Sequence, residues 1–178
     1  MFTDFENFSL IAPTLNPEEL VEELDYCFSF FDRIIEKYPL EKLKTSGYRY
    51  MCGAGIPNYS PTHALDIVLA ALQIQQFMNL RKKQKDEEGK PYWDIRIGIH
   101  SGSLLSGVIG RKKFVYDVWG NTVNLASRME SSGVPGQVNV SKATFDLIKD
   151  SFVTEYRGEI WAKKIGKIDM YLVKGIKD

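Results

Sequence analysis

The sequence is poor in the residues from which many sites are built. Two cysteines and two histidines among 178 residues leave no disulfide framework and no Cys/His metal cluster. Cys27 lies in an apolar helical pattern and Cys52 in a strand pattern, so both read as packing residues. There is no excess of either charge: 23 Lys plus Arg balance 23 Asp plus Glu. That weighs against a protein whose main work is gripping nucleic acid or an anionic membrane, and leaves room for a local basic site for a phosphate ligand. No run approaches the roughly 18 apolar residues that span a bilayer, and no signal-peptide pattern opens the chain. A reducing, cytoplasmic setting is expected, either free or as the cytoplasmic part of a membrane-anchored protein. Repeats and low-complexity tracts are lacking too. What is there, 44% hydrophobic and 12% aromatic residues, suffices for the full core of one domain over residues 1–178. The chain opens abruptly at Met1-Phe2-Thr3-Asp4, inside an apolar strand-like run. We read this as a truncated start with a sensor or regulatory region upstream.

Residues 1–5 read as a strand end, and Glu6 to Leu15 as a loop and short helix. Asn16-Pro17-Glu18-Glu19 has the order of a helix start: cap, proline at the first position, acids in the first turn. Leu20, Val21, Leu24, Phe28, Phe31, Ile34 and Ile35 then recur at helical spacing up to Lys37. Leu40 to Ile56 predicts a strand hairpin turning near Ser46-Gly47. Pro61 to Lys85 predicts a second long helix, and Trp93 to Ile99 alternates as a half-buried strand. A glycine-spaced turn and strand (102–110), a helix (122–130), a turn at Gly133-Val134-Pro135-Gly136, a strand (137–140), a helix (142–149) and two strands (152–173) complete the pattern. Interleaved strands and helices predict an α+β sheet with helices on one face. The lysine-rich run Arg81 to Lys90 is offset by Asp86, Glu87 and Glu88 and reads as a solvated helix end.

Two segments carry chemistry. Asn124 and Arg128 lie four apart on a predicted helix and share a face. An amide beside a guanidinium suits a sugar oxygen and a phosphate, and equally suits a pair that caps neighbouring backbone. At the other segment Asp4 ends a strand, and Phe5-Glu6-Asn7-Phe8 turns the chain into a helix. A carboxylate there could hold a metal ion while backbone amides hold the metal's phosphate ligands; acids at strand ends are also common without such a role. His100 reads as a packing and hydrogen-bonding residue and His63 as a surface residue.

The run Asp117-Val118-Trp119-Gly120-Asn121-Thr122-Val123-Asn124-Leu125-Ala126-Ser127-Arg128 resembles the catalytic domain of class III adenylate/guanylate cyclases. So do Phe2-Thr3-Asp4-Phe5 with Phe8, Leu43-Lys44-Thr45 with Gly47 and Tyr50-Met51, Arg96 to Gly102, and Arg157-Gly158. The resemblance covers essentially the whole chain. It implies a ferredoxin-like (palm-type), mostly antiparallel central sheet flanked by helices. It also implies a head-to-tail homodimer, or a heterodimer with another cyclase domain, with active sites shared across the interface. In such sites two aspartates of one protomer hold two divalent ions, Mg2+ or Mn2+, and the ribose 3′-hydroxyl attacks the α-phosphate. Carried over, Asp4 is the first metal aspartate, assisted by the Phe5 carbonyl. Lys44 and Asp117 fall on the base-recognition positions, where a lysine donating to ring N1 and an aspartate accepting from the 6-amino group suit ATP. Guanine-selective relatives commonly carry Glu at the first of these positions. Asn124 matches the ribose-orienting asparagine and Arg128 the transition-state arginine.

Two departures stand out. The family usually reads Lys-Thr-x-Gly-Asp in the hairpin, and this chain reads Lys44-Thr45-Ser46-Gly47-Tyr48. Tyr48 therefore replaces the second metal aspartate, and a neutral phenol is a poor magnesium ligand. Arg49 beside it brings positive charge to the same place. In the tail, the usual Lys-Gly-x-Gly reads Lys163-Lys164-Ile165-Gly166, so either lysine stands for the phosphate-binding one. Two readings follow: an adenylate cyclase, as a homodimer or as one half of a mixed dimer, or a degenerate relative that binds nucleotide or partner and regulates. An RNA-binding ferredoxin-like domain is a third reading, set aside by the zero net charge and the lack of an aromatic-basic strand motif.

Overall fold

The computed structural model describes residues 1–178 except Lys113, Lys164 and Asp178. β1 (Phe2–Phe5) leads through a short α1 (Phe8–Ile11) and a 3₁₀ turn (Ala12–Thr14) into α2 (Pro17–Ile35). The Asn16 side chain caps α2 by accepting from the Glu19 amide at 2.8 Å, with Pro17 in the first turn, as its sequence order predicts. The hairpin β2 (Leu40–Ser46) and β3 (Arg49–Ala54) follows, turning at Gly47 with φ +61°. Next come α3 (His63–Glu87), β4 (Ile95–Ile99), β5 (Leu105–Ile109), β6 (Val115–Trp119) and α4 (Asn121–Ser131). The chain closes with β7 (Val138–Ser141), α5 (Lys142–Ile148), β8 (Phe152–Ala162) and β9 (Gly166–Ile176).

Seven strands form one sheet in the order β2-β3-β1-β4-β7-β9-β8. β4 and β7 run parallel, while the other neighbouring pairs run antiparallel. The pleat divides this sheet between two layers. Ile95, Ile97 and Ile99 of β4 and Val138 and Val140 of β7 enter the main core, with Ile67, Val68, Ala71 and Ile74 of α3. An aromatic cluster of Phe5, Phe28, Phe31, Tyr50 and Trp93 extends it beneath α2. The alternate residues point the other way, into α4. Asn139 donates to the Met129 carbonyl at 2.8 Å. A Cβ at Gly98 would lie 1.8 Å from the Glu130 amide nitrogen, so α4 rests directly on β4.

The expectation of helices on one face is therefore corrected: α2 and α3 cover one face and α4 the other. Apolar periodicity shows that a helix packs, not on which side of a sheet. The strand β6 also escaped the sequence reading. It pairs with β5 in a two-stranded ribbon apart from the main sheet, with Leu105, Val108, Ile109 and Val115 exposed.

Candidate functional site

Lys44 reaches its position through an irregularity in β2. Lys42 pairs with Cys52 and Lys44 with Met51, so Leu43 is a bulged residue. Regular alternation would put Lys44 on the same face as Lys42, which bonds Asp32 of α2 at 2.7 Å. The bulge turns Lys44 to the α4 side. There its Nζ donates to Asp117 Oδ2 of β6 at 2.7 Å, and Asp117 Oδ1 accepts from the Val118 amide at 2.9 Å. The Lys44 hydrogen bond, with that amide, holds the Asp117 carboxyl below the usual carboxylate range. A cation donor and an anionic acceptor thus stand together. Their chain neighbours Leu43 and Val118 line an apolar pocket of about 620 Å³, together with Met51, Val123 and Ala126 among others.

Asn124 and Arg128 project from one exposed face of α4. They line a groove of about 570 Å³ with Ser127 and Ser131, and Lys163 and Ile165 of the β8–β9 turn close it. Among the described residues neither side chain bonds neighbouring backbone, which removes the capping role the spacing allowed. Lys163 is brought to this groove, whereas Lys164 lies outside the described residues.

The start of the chain is different. Phe5 is buried in the aromatic cluster. The Glu6 amide donates to the Asp94 carbonyl at 2.7 Å, so it is not free for a phosphate as the sequence suggested. Asn7 takes the left-handed conformation, φ +59°, that its short amide tolerates, and its carbonyl accepts from Leu10 and Ile11. Phe8 stacks on Tyr48 with ring centroids 4.3 Å apart, which draws the tyrosine into the aromatic layer.

Asp4 is almost wholly buried between two arginines that sheet register sets opposite it: Arg49 on β3 and Arg96 on β4. Arg49 Nε donates to Oδ1 at 3.2 Å and Arg96 Nη2 to Oδ2 at 2.7 Å. Arg96 also bonds Glu6 at 2.8 Å and Glu130 at 3.2 Å. Burial, followed by the nearby Asp4 charge, pushes the Glu130 carboxyl up to about 7. Neither Arg96 nor Glu130 was assigned a role by sequence reasoning. The one available signal was a charged residue inside the otherwise apolar or small strand Ile95–Ile99.

A divalent ion does not fit this arrangement. Both Asp4 oxygens already serve guanidinium donors, and no group of three or more His, Cys, Asp or Glu among the described residues could hold a metal. Mg2+ needs oxygen ligands at roughly 2.1 Å in octahedral array. Each guanidinium about 4 Å away would oppose it by about 4 kcal/mol per unit of ionic charge in partly buried surroundings, and by less where Arg49 faces water.

Residues 1–175 match the family model of the Adenylate and Guanylate cyclase catalytic domain. The chain belongs to this family. It is 37% identical over 177 residues to an adenylate cyclase of Mycobacterium tuberculosis, covering 99% of this chain and 39% of that protein. It is 38% identical over 181 residues to human guanylyl cyclase C, covering 99% and 17% respectively. The cyclase domain thus spans well under half the length of these curated relatives. The crystal structure of the adenylyl cyclase CyaB from P. aeruginosa superposes with a TM-score of 0.91 at 28% identity, covering 99% of this chain and 92% of that one. The fold is that of class III cyclases, α+β with a mostly antiparallel sheet flanked by helices. Such domains bind nucleotide, act as dimers and generally use divalent metals. Overall likeness is nearly equal to adenylate and guanylyl cyclases, so base preference has to be argued from the site.

Proposed function

We propose that this cyclase domain recognises ATP and supplies the base, ribose and charge-stabilising half of a composite active site, completed by a second cyclase domain. In that site the ribose 3′-oxygen bonds to the α-phosphorus as the bond to the β-phosphate oxygen breaks. Pyrophosphate leaves, the 3′-hydroxyl proton passes to solvent or a nearby base, and cyclic AMP remains. The observation that carries this reading is the Lys44–Asp117 pair, 2.7 Å apart, whose chain neighbours Leu43 and Val118 line an apolar pocket. Lysine would donate to adenine N1 and aspartate accept from the 6-amino group. A guanine edge, with N1 and N2 donors and an O6 acceptor, fits this pair less well. Asn124 would orient the ribose, and Arg128 and Lys163 would offset charge on the phosphates as the bond breaks. The Asp4 end does not take part, because Arg49 and Arg96 hold both its oxygens.

The test is complementation in a mixed assembly. The partner is a cyclase domain that keeps both metal aspartates but has its own base-recognising lysine and aspartate substituted. Cyclic AMP formed by the mixture with ATP and Mn2+, and by neither chain alone, is the expected result. Cyclic AMP from this chain alone would make it a self-sufficient enzyme instead. ATP binding without turnover in any mixture would favour the regulatory reading, which the closed Asp4 cluster also supports.

A further inference from the structure

We propose that Arg49 is the resident cation of this domain: its guanidinium holds the place beside Asp4 that a divalent ion would take, and closes this protomer to such ions. The inference deepens the reading above by naming what disables the metal half.

Sheet register makes the arrangement a fixed part of the fold. Asp4 pairs directly with Arg49 across β1–β3 and with Arg96 across β1–β4, and side chains of directly opposed residues share a face. The side chain of Asp4 is 5% exposed and that of Arg49 53%, so the carboxylate is reached from water past Arg49. Arg96 has other obligations, to Glu6 and Glu130. Arg49 bonds only Asp4 among the described residues. It therefore adds to Asp4 a second positive partner where Arg96 alone would leave an oxygen open. Tyr48, at the turn just before it, stacks on Phe8 and offers no charged oxygen. Tyr48, in the place of the family's usual second aspartate, and the arginine that bonds Asp4 are adjacent in the chain. Arg96 meets one oxygen of the buried aspartate, and the residue after Tyr48 supplies the cation for the other.

The hairpin therefore requires two changes, not one, to regain a metal site. Mn2+ binding to the isolated chain, read by electron paramagnetic resonance, tests this without any turnover. The unaltered chain and Tyr48→Asp are each expected to show no site tighter than about 1 mM. Tyr48→Asp combined with Arg49→Ala is expected to bind at least roughly tenfold tighter than Tyr48→Asp alone, and to lose that site on Asp4→Asn. Should the Ala variant unfold, Arg49→Gln, which removes the charge but keeps a donor for Asp4, serves in its place. Mn2+ binding by the unaltered chain that Asp4→Asn abolishes would overturn the proposal. So would equal binding by Tyr48→Asp alone, or no binding by a double variant with a native circular dichroism spectrum. None of these results bears on ATP recognition by Lys44 and Asp117, which the mixed assembly reads separately.

Discussion

At the scale of single residues, the two ends of the candidate site differ in how they meet water. Asn124 and Arg128 are exposed and unspent, whereas Asp4 and Glu130 are buried and committed. Arg128→Ala should therefore leave the melting temperature nearly unchanged while lowering cyclic AMP formation in the mixed assembly by about 10²–10³-fold, as loss of a transition-state charge donor does. Exchanging the base contacts, with Lys44→Glu and Asp117→Asn, should turn preference from ATP toward GTP. The glutamate would then accept from N1 and N2, and the amide donate to O6; initial rates with each nucleotide are the measure. Glu130 gives a pH signature. Its folded pKa of about 7 lies above the ordinary value of 4.5, so the folded state holds the proton more tightly than the unfolded chain. The resulting stability is full below the ordinary carboxylate range and is lost as pH rises through about 7. Glu130→Gln, which stays neutral, should flatten that loss. Thermal melts at pH 5 and pH 8 should show the unaltered chain falling behind the variant by roughly 1–3 kcal/mol.

The elements show what a sequence exposes and what it hides. The cap Asn16-Pro17, the apolar spacing of α2 and the alternation of β4 are local signals, and each produced the element it predicted. The bulge at Leu43 is one residue in one strand, with no signature of its own, yet it decides whether Lys44 faces α2 or Asp117. β6 was hidden because Asp117 to Trp119 belongs to the cyclase-like motif, and because among the described residues its strand pairing is with β5 and not with the main sheet. The Asp4 cluster joins residues 45 and 92 positions apart; the charge of Arg49 was legible beside Tyr48, but its bond to Asp4 needed the register of three strands. Gly98 belongs at this scale as well, since it sets the seat of α4 on the sheet. Gly98→Ala has to push α4 outward, because the clash is with helix backbone that cannot swing aside. A loss of roughly 1–3 kcal/mol in stability is expected. ATP affinity should fall with it even though no residue touching the groove has changed, which calorimetry of the variant would show.

For the whole molecule, the β5–β6 ribbon is the part that its own chain leaves unfinished. A two-stranded ribbon is marginal alone in water, and this one presents Leu105, Val108 and Phe114 at 73%, 62% and 73% exposure. Exposed apolar side chains gathered on one short ribbon mark a surface meant to be covered. Domains of this family act as dimers, and the ribbon carries Asp117, which ties the covering of the ribbon to the base-recognition pair. Val108→Glu with Phe114→Ser should therefore weaken association, with itself or with a metal-bearing cyclase domain. The melting temperature of the isolated chain should hold, because neither side chain enters the core. Sedimentation at increasing concentration would give the first result and a thermal melt the second. Cyclic AMP formation in the mixed assembly should fall in proportion to the assembly lost and recover at higher protein concentration. The loss caused by Arg128→Ala should persist at every concentration, because that variant removes a contact within the site and leaves the site's formation intact.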